Sequence, residues 1–231
     1  MNAARRVSVR SATLVLIFVM SLSASLAATP PSHRAERRHI VLLHGLGDDA
    51  SKMRALKRHF AAQGHPTHAL KLNGSWGQLG IDGQAEELRA YVDAHLPRDE
   101  QFDLIGFSMG GIVSRYYVQR LGGLKRVRRL VTVASPHRGT IMAHLLPTKA
   151  CRQMRPGSEL MRDLASDSDQ LRKVGFTSFW TPLDLIVIPA SSAIVPGQKA
   201  RRIWCIAHPL MVFEPRCLRA IAASLQDGQP D

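Results

Sequence analysis

Cysteine is scarce in this sequence: Cys151, Cys205 and Cys217 are its three among 231 residues. So few thiols exclude a disulfide-dense scaffold, and no two stand at the spacing of a zinc ligand set. Aromatic side chains make up 6% and are not interleaved with the basic clusters. With no nucleic-acid-binding motif either, a DNA- or RNA-reading surface is excluded. After residue 28 no apolar run approaches the ~20 residues of a membrane span. Internal repeats and low-complexity tracts are absent. Acid is the last shortage, with 18 Asp and Glu against 31 Lys and Arg, a formal charge of +13.

The chain does hold enough apolar residues, 45%, for a substantial core in one ordinary domain. Its first 28 residues read as a signal peptide rather than fold. Arg5, Arg6 and Arg10 make a basic start, an apolar run covers Ala12 to about Met20, and Ser25-Leu26-Ala27 offers small residues before a cleavage at Ala28. Export to the periplasm or beyond is the expectation, with residues 29–231 as a single domain. An oxidising compartment permits one disulfide and leaves one thiol over, with the pairing open. Without the leader's three arginines, 28 basic residues face 18 acidic ones, a charge of +10. The clusters "HRAERRH", "KRVRR" and "ARR" precede apolar runs and read as solvated entry loops. Such a surface is compatible with peripheral contact to an anionic envelope surface.

Short apolar runs at Ile40–Leu43, Thr67–Leu72, Phe102–Phe107, Leu130–Ala134, Phe176–Trp180 and Ile203–Ala207 read as strands. Helix-length stretches at Lys52–Gln63, Gln84–Leu96, Met109–Leu121 and Leu218–Leu225 alternate with them. This alternation predicts an α/β fold, a mostly parallel sheet covered by helices on both faces. Ligand-facing groups then gather at the carboxyl ends of the strands. The irregular stretch 141–175 reads as a cap-like insertion over the site.

Gly106-Phe107-Ser108-Met109-Gly110 spells G-x-S-x-G between strand-like "FDLIGF" and helix-like "GGIVSRYYVQRL". That is the setting of a nucleophile elbow, where a sharp strand-to-helix turn lifts a serine oxygen into the open. A serine needs a base and a group that orients the base. Three histidines compete: His208 after "IWCIA", His44 in "LLHGLG" and His137 in "SPHRGT". Among the carboxylates, Asp184 follows a strand candidate, Asp163, Asp167 and Asp169 lie in the insertion, and Asp103 points into the strand before the serine. The order Ser108, Asp184, His208 is the one the α/β-hydrolase arrangement uses. The amide of Met109 at the helix start and that of Leu46 in "HGLGD" are the candidate donors to an oxyanion.

Together "VLLHGLGD", "GFSMGG", "VASPHRGT", "TPLDLIVIP" and "AHPLMVF" resemble the secreted bacterial lipases and esterases of the α/β-hydrolase superfamily, in particular the small class 2 triacylglycerol lipases. The likeness runs from about Ile40 to Leu225. It implies Ser108 as nucleophile, His208 as base, Asp184 as its orienter, and Leu46 and Met109 as oxyanion donors. It also implies a structural role for His137. A carboxylic ester or lipid with an apolar acyl chain is the implied substrate, with no cofactor and no metal. Met109, Leu145, Leu146, Leu210 and Met211 are the candidate acyl-pocket residues, with core packing as the alternative role for each. Acyl transfer, thioester or amide hydrolysis on the same triad, or a non-catalytic envelope-binding protein on this scaffold, are the alternatives.

Overall fold

The computed structural model describes residues 37–226, all within one compact unit; the expected leader, residues 1–28, lies outside the described residues. Six strands form one sheet: β1 (Ile40–Leu43), β2 (Thr67–Leu70), β3 (Phe102–Phe107), β4 (Val127–Val133), β5 (Thr177–Trp180) and β6 (Lys199–Arg202). Their order is β2-β1-β3-β4-β5-β6, and every pairing is parallel. Parallel strands need long crossovers, and the crossovers cover both faces of the sheet.

The two cores follow from the period-two pleat. Val41 and Leu43 of β1, and Phe102 and Leu104 of β3, face one cluster. Ile40 and Leu42, and Ile105 and Phe107, face the other. A strand buried on both faces therefore divides its apolar side chains between two cores. On the first face lie α2 (Gly80–His95) and α3 (Met109–Arg120), seated by Ile81, Ala85, Leu88 and Val92, and by Ile112, Val113 and Tyr117. In α2 the three- and four-residue spacing puts the set on one helical stripe. On the second face lie α1 (Arg54–Ala62) and α6 (Pro215–Gln226), through Leu56 and Phe60, and Cys217, Ile221 and Leu225.

The stretch 141–175 is folded, carrying α4 (Lys149–Gln153) and α5 (Glu159–Ser166) between 3-10 turns. It is tied to the sheet's helices. Lys149 and Gln153 both reach Asp82 on α2, at 2.7 and 2.8 Å. Arg120 on α3 pairs with Asp163 and Asp167 at 2.9 and 2.7 Å. Beneath them Arg115, buried, donates to Gln119 and to the carbonyl oxygens of His137 and Leu164. Its burial lowers the guanidinium to about 10.

Three expectations need correction. The last strand is not Ile203–Ala207 but Lys199–Arg202. It is an edge strand that pairs through its backbone and leaves its side chains mostly in solvent, so it carries no apolar signature. The "KRVRR" cluster is not a solvated loop. Val127, Arg128 and Arg129 open β4, which begins three residues earlier than expected, and Arg129 is buried. Arg128 donates to the buried Asp103 on β3 at 2.6 Å. Burial nevertheless raises the Asp103 carboxyl, with Arg128 opposing.

Candidate active site

Ser108 is the hinge between β3 and α3, at φ 53° and ψ −122°. Non-glycine residues adopt this region only when their surroundings compel it. Here Ser108 N–H donates to Val133 O at 2.8 Å, and Gly111 N–H donates to Ser108 O at 3.1 Å. The flanking glycines explain themselves by distance. A Cβ on Gly106 would stand 2.5 Å from Gly110 O, and one on Gly110 would stand 2.5 Å from His44 O. Both obstacles are backbone and cannot rotate aside. Strand and helix thus meet closely enough to admit no side chain at either place.

Asp184 and His208 lie on the turns after β5 and β6, next to each other at the carboxyl end of the sheet. Asp184 Oδ2 is 2.8 Å from His208 Nδ1, and both residues are buried. Asp184 Oδ1 accepts from Ile186 N–H and Val187 N–H, each at 2.9 Å. The carboxylate is therefore held by its own turn, and its second oxygen is aimed at the ring. The imidazole packs against Phe107, ring centroids 4.9 Å apart. Thr181 joins the two turns by donating to Cys205 O at 2.7 Å.

The competing histidines have other work. His44 is fully buried, its Nδ1 2.9 Å from Gly45 O, and its Nε2 accepts from Leu72 N–H at 3.2 Å. It braces the turn that carries Leu46. His137 is buried with Nε2 2.8 Å from Thr132 Oγ1 and no partner for Nδ1 among the described residues. Burial, aided by the Arg115 charge, holds it neutral well below the usual histidine range. Of the other carboxylates, Asp163 and Asp167 pair with Arg120, Asp169 with Arg172, and Asp103 with Arg128.

Ser108 and His208 line one cavity of about 540 Å³, within the range of small-molecule sites. Leu46 joins them on one side. The insertion contributes Met142, Ala143, Leu145, Leu146, Cys151 and Met154, and Ile186 and Val187 close the wall beside Asp184. Of the five residues expected in an acyl pocket, Leu145 and Leu146 line it. Met109 and Met211 are instead buried in the two cores, and Leu210 lies off the lining. Met109 faces inward because the helix it opens packs its first turn on the sheet. Its amide, like that of Leu46, enters no hydrogen bond among the described residues. The α3 N-terminus adds a positive dipole end beside Ser108.

Thr140 had no expected role, yet it lines the cavity and ties its walls together. Its hydroxyl donates to Ile186 O and accepts from Ile188 N–H, at 2.8 and 2.9 Å. Its place in "SPHRGT" was visible, but not its reach across 46 residues to the Asp184 turn. Leu145 and Ile186 of the lining are exposed, as are Ile141 and Leu185 next to lining residues in the chain, Leu185 at 76% and Leu145 at 70%. Lys52 lies at the mouth, 3.6 Å from Asp48 and over the Phe107 and Phe213 rings.

Residues 39–183 match the palmitoyl protein thioesterase family. The chain belongs to that family. The matched stretch holds Leu46, Ser108 and Met109 and ends one residue before Asp184. Solved structures place this thioesterase-family chain in the α/β-hydrolase fold. A gene product of Listeria innocua aligns with a TM-score of 0.65 at 16% identity, covering 85% of this chain and 96% of that one. The mature lipase of Bacillus licheniformis aligns at 0.61 and 16%, covering 76% and 86%. A thermophilic esterase of Thermogutta terrifontis aligns at 0.60 and 15%, covering 82% and 89%. The chain is thus a hydrolase of the α/β-hydrolase type, as the resemblance implied at the superfamily level.

Proposed function

We propose that this chain cleaves carboxylic esters of apolar acyl chains through Ser108, His208 and Asp184. The observation that carries the reading is the strained Ser108 sharing a largely apolar cavity with a histidine whose far nitrogen is held by a buried carboxylate. Asp184 fixes the tautomer that keeps Nδ1 protonated, so Nε2 is free to take the Ser108 proton. The serine oxygen attacks the acyl carbonyl, and the amides of Leu46 and Met109 receive the developing oxyanion. His208 returns the proton to the departing alcohol. Water then releases the acid by the same route, leaving Ser108 free.

The exposed apolar rim suits a substrate presented from a lipid phase, while the basic surface suits an anionic one. The family match favours a second reading, that the scissile bond is a thioester. The leader read over residues 1–28 puts this activity in the periplasm or outside the cell, which N-terminal sequencing of the mature protein tests.

A fluorophosphonate probe and a chain-length series of p-nitrophenyl esters, run beside matched acyl thioesters, test the chemistry. Labelling and turnover are expected in the wild type. Ser108→Ala is expected to lose labelling and about 10⁶ of turnover, as when a triad acts as a unit. A folded wild-type protein that neither labels nor turns over would instead be a non-catalytic binder on a hydrolase scaffold.

A further inference from the structure

Cys205 and Cys217 take no part in the chemistry above, yet they meet in the core behind it. Cys205 precedes His208 by three residues, and Cys217 sits in the first turn of α6. Both are buried, and their sulfurs lie with a carboxylate oxygen of Glu214 within 4.8 Å of one another. We propose that Cys205 and Cys217 form a disulfide in the mature protein, fastening the His208 turn to α6 and leaving Cys151 as a free thiol in the wall of the cavity. The proposal rests on the export reading only for where the bridge forms in the cell. Its geometry does not depend on that reading.

The sulfurs need to close from within 4.8 Å to the ~2.05 Å of a bond, a movement within reach of side-chain rotation and small backbone adjustment. The reaction is exchange with a low-molecular-weight or protein disulfide. Two thiols give up two protons and two electrons, one S–S bond forms, and the oxidant's S–S bond is reduced to two thiols. Cys151 is excluded as a partner by its place, buried in the other core cluster across the sheet.

A metal explains the cluster less well. A structural zinc takes four ligands. Only three donors gather here among the described residues, and Glu214 is partly exposed. Burial raises both thiols, Cys217 to about 12, with Glu214 adding to the rise. Ionising both in place is costly, whereas a disulfide is neutral and removes the problem. High-pKa buried thiols also exchange slowly. The bridge therefore forms before the core closes, and it is structural rather than a switch.

The Cys205–Cys217 loop is short, so the entropic stabilisation corresponds to a melting temperature roughly 6–12 °C higher than that of the reduced chain. The test refolds the full chain in a glutathione redox buffer, then denatures it, alkylates without reductant and maps the digest. Expected are one adduct, on Cys151, and a cross-linked peptide joining Cys205 to Cys217. Reduction is expected to abolish the melting gain. Cys205→Ser, Cys217→Ser and the double variant should lose it to a similar extent rather than additively, and Cys151→Ser should keep it. Adducts on both Cys205 and Cys217 after oxidation, any bridge through Cys151, additive losses in the two serine variants, or one bound zinc per chain with reduced thiols would each overturn the proposal. Because the refolding is done in the test tube, failed export would leave these outcomes unchanged.

Discussion

Replacing Asp184 by Asn separates what that side chain does for the fold from what it does for the chemistry. Its Oδ1 accepts from Ile186 N–H and Val187 N–H, and an amide oxygen accepts both equally well. The turn should stand, with a stability loss below about 1 kcal/mol. The second oxygen, 2.8 Å from His208 Nδ1, becomes an NH₂ group. A donor now faces the ring, so the imidazole is driven to the opposite tautomer, and Nε2 presents a proton to Ser108 instead of taking one. The corresponding change in a serine protease costs about 10⁴ in turnover, or about 5.4 kcal/mol of transition-state stabilisation. Asp184→Ala adds a structural loss. It orphans the two amides, of which Val187 belongs to a buried residue, at about 1–3 kcal/mol. Ester hydrolysis with thermal melting on both variants reads the two effects independently. An Asp184→Asn protein that melts like the wild type and retains turnover within tenfold would refute the role given to Asp184.

Gly110→Ala should lose most soluble protein or turnover, because the added methyl would lie 2.5 Å from His44 O and 2.8 Å from Leu43 O. Overpacking against backbone costs about 1–3 kcal/mol or more; an active variant with unchanged melting would contradict the close approach. Leu145→Asp with Leu185→Asp should cut hydrolysis of vesicle-borne ester at least tenfold while sparing a soluble short-chain ester, since Leu145 lines the cavity and Leu185 is exposed beside Ile186 of its wall; equal losses on both substrates would deny the rim a docking role. Stability should fall with acid below about pH 6.5. Burial holds His137 neutral in the fold, and burial with the His39 charge lowers His68. Their unfolded forms gain protons as the pH drops through 6.5, while folded His137 stays neutral and folded His68 takes up its proton at lower pH than in the unfolded chain. His137 contributes a slope of up to about 1.4 kcal/mol per pH unit, and the more exposed His68 less. Urea unfolding at pH 7.5, 6 and 5 measures this, and a flat profile would argue against it.

The sequence was most legible where a strand is buried on both faces. β1 and β3 have the bounds their apolar runs suggest, because every position is buried and only Asp103 and Gly106 of β3 break the apolar pattern. It was least legible at the sheet's edge. "KARR" joins the sheet through backbone pairing with side chains that are polar or small, while "IWCIA" beyond it leaves Trp204 and Ile206 in solvent. The bend at Ser108 was readable because two glycines and a strand–helix change mark it locally. The Asp184–His208 contact spans 24 residues and the whole of β6, so chain order suggested it but only the fold brings the atoms together. The cavity wall was the hardest part. Thr140, Met142, Met154 and Val187 reach it through turns whose paths no periodicity records.

Backbone strain at Ser108 has an evolutionary side. A side chain at φ 53° and ψ −122° costs of order 1–3 kcal/mol that glycine would avoid. Under the proposed mechanism, glycine at 108 would keep the bend, relieve part of that cost and leave an inert protein. Selection on heat stability alone would therefore favour glycine there, and under the proposed mechanism the hydroxyl exchanges melting point for turnover.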